Sequence, residues 1–271
     1  MDDSAARGPT DFRDECDIAA FGMAQATLEE CARLRKEPGP RRGRLADVSI
    51  LRHADEHTVI GVAALLAALE HYPEAASFDD WGVVAAPRWP GRVGTAHALD
   101  KFHTEGPRYV SALLIPNLCL HSMSGTLSLA FQMRGPNFGA GGGLANIADG
   151  LFTGLVVQLE HRLPGTWVVF SEWNVEPLGA PESARPVASA LAMALVPPGQ
   201  GRGLRLRLQP SAVSPSANAS HAGQPRLGQL TDFLNGEASL QNWVCPLDWG
   251  MEMTVSRREA SSSWLPNRRA A

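Results

Sequence analysis

A chain of 271 residues is long enough to bury a sizeable core, as one large domain or two small ones. Its 44% hydrophobic and 19% charged residues are ordinary for a soluble globular protein. A net charge of −4 gives no electrostatic reason to expect nucleic acid or an anionic membrane as partner. The basic clusters Arg41-Arg42-Gly43-Arg44, Arg202 with Arg205 and Arg207, and Arg268-Arg269 have no aromatic platform among them and read as solvated surface. The cysteines Cys16, Cys31, Cys119 and Cys245 are far apart and form no C-x-x-C pair, which excludes a zinc ribbon or a thioredoxin-like motif. The acidic start Met1-Asp2-Asp3 is no secretory signal, so reduced thiols in a cytoplasmic protein are expected. No apolar run approaches the ~20 residues needed to cross a bilayer.

The first ten residues are polar and expected to fray. "CDIAAFGMA" (16–24) reads as a buried strand. "TLEECARLRKE" (27–37) reads as a helix with Thr27 and Glu30 placed for a capping box, stopped by "PGPRRGR" (38–44). Val59, Val62, Leu65, Leu66 and Leu69 recur at helical spacing and predict a helix over 58–71, with Asp55 and Glu56 suited to its N-terminal end. "DWGVVAAP" (80–87) predicts a strand closed by Pro87 and Pro90, and 95–111 a helix around Ala96, Leu99 and Phe102. A single apolar helix is expected over 115–133. A Gly-Pro-Asn turn and a glycine run follow, then an apolar helix through Leu144, Ile147, Ala148, Leu151 and Leu155.

"TWVVFSEW" (166–173), "VASALAMALVP" (187–197) and "LRLRLQP" (204–210) predict three strands, the last with one solvated face because Leu and Arg alternate. A Ser/Ala/Pro-rich linker is expected over 210–225, then a short helix over 226–236 stopped by Asn235-Gly236. A last strand region lies between Trp243 and Val255. Strands alternating with helices predict an α/β fold, a layered mixed sheet flanked by helices. The expected organisation is a domain over 1–210, a linker over 211–225 and an extension over 226–271 that packs on the same domain.

Several segments carry residues that could do chemistry. "HADEH" (53–57) fits the H-x-x-E-H pattern of a zinc peptidase, with His53 and His57 as ligands, Glu56 as base and Glu105 or Glu160 as third ligand. The alternative is a polar lead-in to the helix that follows. "LHSMSG" (120–125) lacks the first glycine of a nucleophile elbow, so Ser122 and Ser124 read as small residues for close helix packing and His121 as a core-edge histidine. The run 139–143 completes neither G-x-G-x-x-G, since Leu144 takes the last place, nor a P-loop, and it suits close backbone approach instead.

The order of these elements, with "GPRYVSALLIPN" (106–117), "SGTLSLAFQMRGPN" (124–137), "TWVVFSEW" and "SALAMALVP", resembles the N-terminal half of β-ketoacyl synthases, the condensing enzymes of the thiolase-like fold. The short form, without a cysteine in the passage from Gly-Pro-Asn to the helix that follows, is similar to their chain-length-factor-like group, usually regarded as non-catalytic. In the family the nucleophilic cysteine lies about nine residues past the Gly of Gly-Pro, and that place falls here on Gly143 or Leu144, neither of which forms a thioester. The resemblance also implies two histidines from a C-terminal half that this chain does not contain. It therefore implies no catalytic residue, no cofactor and no metal. It implies Phe131, Met133, Asn137, Phe138 and Leu144 as an acyl-pocket or interface set. The implied partner is a β-ketoacyl synthase subunit or a second copy of this chain, with an acyl carrier protein as a further contact. A single half is expected to leave the helix after Gly143 exposed for that partner to cover. An independent hydrolase and a homodimeric scaffold are the other readings.

Overall fold

The computed structural model describes residues 14–38, 42–112, 114–201, 203–211, 225–238 and 240–257. The expected frayed start and all but the ends of the expected linker lie outside these residues. Among them eight strands form one sheet: β1 (Glu15–Thr27), β2 (Gly82–Pro87), β3 (Asn137–Gly139), β4 (Thr166–Trp173), β5 (Val187–Val196), β6 (Leu204–Pro210), β7 (Asn242–Pro246) and β8 (Met251–Arg257). Their order is β3-β2-β4-β5-β1-β6-β8-β7. β2 runs parallel to β3 and β4, and every other pairing is antiparallel. The layered mixed sheet read from the sequence is therefore present.

Among the described residues seven α-helices accompany it: α1 (Leu28–Leu34), α2 (Glu56–Ala68), α3 (Arg92–Glu105), α4 (Leu114–Leu118), α5 (Ser122–Ala130), α6 (Asn146–Glu160) and α7 (Leu227–Asn235). The Thr27–Glu30 capping box forms at α1, and Asp55 caps α2 by accepting the Thr58 N–H at 2.8 Å. Side-chain size decides how each layer sits. On one face β1 and β5 present Ala20, Gly22, Ala24, Ala26 and Ala188, Ala190, Ala192, Ala194, which lets α2 settle deep against the sheet. α2 is buried nearly all round, so Ile60, Leu65 and Leu69 each contribute about 1.5–3 kcal/mol of hydrophobic burial. The opposite face carries Phe170, Leu191, Met193 and Leu195, and α6 and α7 lie on it.

Four expectations change. The helix expected over 115–133 is two, broken at 119–121, because the chain turns there to bring Leu120 against Gly139; a Cβ on Gly139 would stand 2.5 Å from the Leu120 carbonyl oxygen. The helix expected over 95–111 ends at Glu105, before Pro107. The last strand region is a hairpin, β7 and β8, whose second strand joins β6. The helix after Gly143 is not bare. The inner face of α6 is buried on β2 and β4 through Ile147, Leu151 and Leu155. Its outer face carries Asp149, Thr153, Val156 and Glu160, and Trp249 from the β7–β8 turn stacks edge-on over Phe152 at 5.3 Å. Besides Val156 and Trp249 there, exposed apolar side chains include Leu99, Phe102, Tyr109 and Ile115 on α3, α4 and the chain between them, and Leu129, Phe138 and Leu144 around β3.

Candidate functional site

The glycine-rich loop runs from the end of β3 to the start of α6, at the carboxyl ends of the parallel strands β2 and β4, where α/β sheets place their ligands. It is zipped to β2: the Ala140 N–H donates to the Ala85 carbonyl at 2.8 Å and the Gly142 N–H to the Pro87 carbonyl at 3.1 Å. Gly141 and Gly142 have φ of 82° and 87°, the left-handed region that glycine enters at little cost. Asn146, buried in the first turn of α6, fixes the helix to the strand by donating from Nδ2 to the Ala86 carbonyl at 3.0 Å.

Leu144 stands just ahead of Ala145, the residue that opens α6, and is 40% exposed. The position that the resemblance assigns to a thiolate thus holds a half-exposed aliphatic side chain. Of the other pocket or interface residues, Asn137 and Phe138 are on the edge strand β3, with Phe138 44% exposed, whereas Phe131 and Met133 are buried in the core on the α2 face. Two of the five are thus core residues, while Phe138 and Leu144 face solvent. Gly143 has open space where a Cβ would be, so crowding explains Gly139 but not Gly143.

Behind the loop lies a cluster that the sequence reading did not assemble. His57, in the first turn of α2, shares a 2.9 Å hydrogen bond between Nδ1 and Ser171 Oγ at the end of β4, and its ring meets Trp173 edge-on at 6.3 Å. Burial pushes the His57 pKa down; the carboxylates of Asp55, Glu56, Glu176 and Glu172 oppose that shift without cancelling it. Ser171 is fully buried and its hydroxyl also faces Met123 Sδ at 3.8 Å, so no substrate carbonyl can approach it. Arg88, just past β2, reaches Glu172 at 3.5 Å, and the other Glu172 oxygen accepts the Leu227 N–H at the start of α7 at 3.3 Å. Arg88 and Arg92 sandwich Trp89 with their guanidinium carbons 4.5 and 4.4 Å from the ring centre. The only sequence signal for this cluster was charge at the ends of buried strands, in "PRW" and "SEW".

The zinc arrangement is not built. α2 starts at Glu56, so His53 lies in the preceding turn, not one helical turn below His57. Glu56 is held by Arg35 at 2.5 Å, and among the described residues no group of three His, Cys, Asp or Glu side chains is placed to hold a metal. His121 is exposed, with Nδ1 3.1 Å from Ser124 Oγ, and not at the core edge; Ser122 and Ser124 are buried in α5. All four cysteines are free, and only Cys119 is exposed. Among the described residues no helix is long and apolar enough to cross a membrane.

No family model and no curated protein matches this sequence. Solved structures do. A ketosynthase in complex with its chain length factor from Xenorhabdus doucetiae matches over 89% of this chain and 99% of the other, with a TM-score of 0.55 and 18% identity. The chain has a ketosynthase-like fold. A β-ketoacyl synthase from Burkholderia phymatum STM815 agrees over 83% of this chain and 71% of its own, with a TM-score of 0.51 and 12% identity. The ishigamide ketosynthase/chain length factor agrees over 73% and 68%, with a TM-score of 0.50 and 14% identity. On this thiolase-like scaffold, the loop from β3 to α6 and the ends of β2 and β4 form the candidate site.

Proposed function

We propose that this chain is a non-catalytic, chain-length-factor-like companion of a condensing enzyme in fatty acid or polyketide biosynthesis. One observation supports the reading: on a ketosynthase-like fold, Gly143 and Leu144, where the resemblance puts the family's thiolate, stand at the entry to α6 and carry no nucleophile. The partner's chain pairs along β3. That strand is an edge of the sheet, and Phe138, Leu129 and Leu144 are exposed around it, as suits a strand that another strand extends. Phe138 and Leu144 then border the partner's acyl tunnel, where a bulky side chain stops chain growth sterically, and an acyl carrier protein docks on the paired assembly. The 226–271 extension works as part of the same domain, a reading supported by the pairing of β8 with β6.

The test is an affinity capture of the tagged protein from its own host, read by mass spectrometry, beside Phe138→Glu. Recovery of a ketosynthase or a carrier protein with the native chain, lost with the variant, is the expected result. Phe138 is half-exposed, so the substitution should leave stability within about 0.5 kcal/mol. Recovery of the chain alone at dimer mass would replace this reading with a homodimeric scaffold.

A further inference from the structure

Two rows of side chains repeat one pattern across the C-terminal half of the sheet. Asp17 on β1, Arg205 on β6, Ser256 on β8 and Asn242 on β7 stand opposite one another in turn. Two residues along each strand, so do Glu15, Arg207, Thr254 and Val244. Each row runs from an acid through an arginine to a hydroxyl. Cys16, Leu206, Met253 and Val255 alternate with these residues and are buried on the α6 side. Both rows therefore lie on the other face, the one that α2 covers over β1 and β5. The arginines read as solvated surface in the sequence, yet the Arg205 side chain is only 21% exposed.

A pocket of about 270 Å³ opens here, lined by Arg205, Arg207, Gln209, Asn242, Thr254 and Ser256. Among the described residues no aromatic ring, aliphatic side chain or carboxylate lines it, which excludes an acyl chain, a flat heterocycle or a metal ion as its ligand. The nearby acids are turned to other groups. Glu15 takes Arg205 Nη1 at 2.8 Å and Arg207 Nη2 at 2.6 Å, and Asp17 accepts the Gly199 N–H at 2.6 Å. Glu252 accepts from Gln209 Nε2 at 2.8 Å. Thr254 is different. It is 8% exposed, and its buried Oγ1 has no hydrogen-bond partner. Buried hydroxyls are as a rule hydrogen-bonded, so one left unpaired in a pocket wall marks a place where a ligand atom can sit.

The donor set names the ligand class. Guanidinium groups only donate, and hydroxyls and amides can donate, so one ligand that satisfies them all carries several acceptors. These donors rise from three adjacent strands, which suits the four oxygens of a tetrahedral oxyanion better than a flat carboxylate. We infer that this pocket binds a phosphate group, free or as a monoester, through Arg205, Arg207 and Thr254. Glu15 and Asp17 balance the two arginines, so hydrogen bonds and not net charge hold the ligand. The site is at the far end of the sheet from β3 and stands whether or not this chain pairs with a ketosynthase.

The probe is inorganic phosphate, titrated by NMR into the full chain with labelled backbone amides. Saturable binding with a Kd of about 1 mM is the size expected for so small a ligand. Its shifts should centre on residues 205–209, 242 and 254–256, and sulfate should compete. Thr254→Val keeps the shape of the side chain and Arg207→Gln alters a half-exposed one, so both variants should fold. Each should weaken binding about tenfold. Glycerol 3-phosphate binding more tightly than inorganic phosphate would identify an esterified ligand, and the reverse a free anion; both orders support the site. Absence of saturation, an equal effect of chloride at matched ionic strength, or indifference to both variants would overturn the assignment.

Discussion

Gly22→Ala tests the packing argument at its tightest point. A Cβ on Gly22 would stand 2.1 Å from the Ala68 nitrogen, 2.6 Å from its Cα and 2.7 Å from the Ala64 carbonyl oxygen. All three are backbone atoms of α2 or its end, so no side chain can swing away. Ordinary contact starts near 3.4 Å, so the end of α2 has to retreat from β1 by about 1 Å. A gap of that size forfeits a quarter to a half of the dispersion energy of the atoms lining it. Overpacking costs typically 1–3 kcal/mol, and a clash with backbone belongs at the top of that range, about 3 kcal/mol. The melting temperature should then fall by roughly 6–10 °C. Gly228→Ala is the matched control: it lies in α7, has nothing within 4 Å of the added carbon, and should stabilise by about 0.5–1 kcal/mol. Urea and thermal unfolding of both variants read the two signs. A Gly22→Ala protein within about 0.5 kcal/mol of the native chain would refute the close seating of α2 on the alanine stripe.

Two further outcomes bear on the site. The folded-state pKa of His57 lies below the value of about 6.5 that it has when unfolded, so the unfolded chain binds the extra proton first. The His57 contribution is therefore intact above about pH 6.5 and is lost as pH falls through that value towards the depressed folded pKa. Denaturant midpoints measured across this window should fall more steeply for the native chain than for His57→Gln, and parallel curves would show that His57 carries no linkage. Leu144→Cys in a Cys119→Ser background places an exposed thiol at the start of α6, where its pKa should drop below the usual value of about 8.5. Alkylation rate against pH reads that drop. The variant should still form no carbon–carbon bond from acyl and malonyl thioesters, because the thiol alone lacks the groups that drive decarboxylation, and condensation by it would sink the companion reading.

Much of the fold was legible because it rests on local pattern. The Thr27–Glu30 box and the acidic Asp55-Glu56 start mark where α1 and α2 begin, and the alternation of Leu with Arg over 204–208 specifies β6 and its two faces. β3 was not legible: three residues of a parallel edge strand have meaning only beside β2. Nor was the break at 119–121, which the approach of Leu120 to Gly139 requires, or the hydrogen bond of His57 to Ser171, 114 residues away.

The chemistry at the entry to α6 was decided by the sequence alone, since a leucine at 144 forms no thioester in any fold. What covers α6 was decided only by tertiary structure. Its apolar pattern reads as a face awaiting another chain, yet β2 and β4 bury that face and Trp249, 89 residues beyond Glu160, packs edge-on over Phe152 on its flank. Periodicity reports that a helix has an apolar stripe. Which element buries the stripe depends on contacts far apart in the chain, and those are settled only when the sheet assembles.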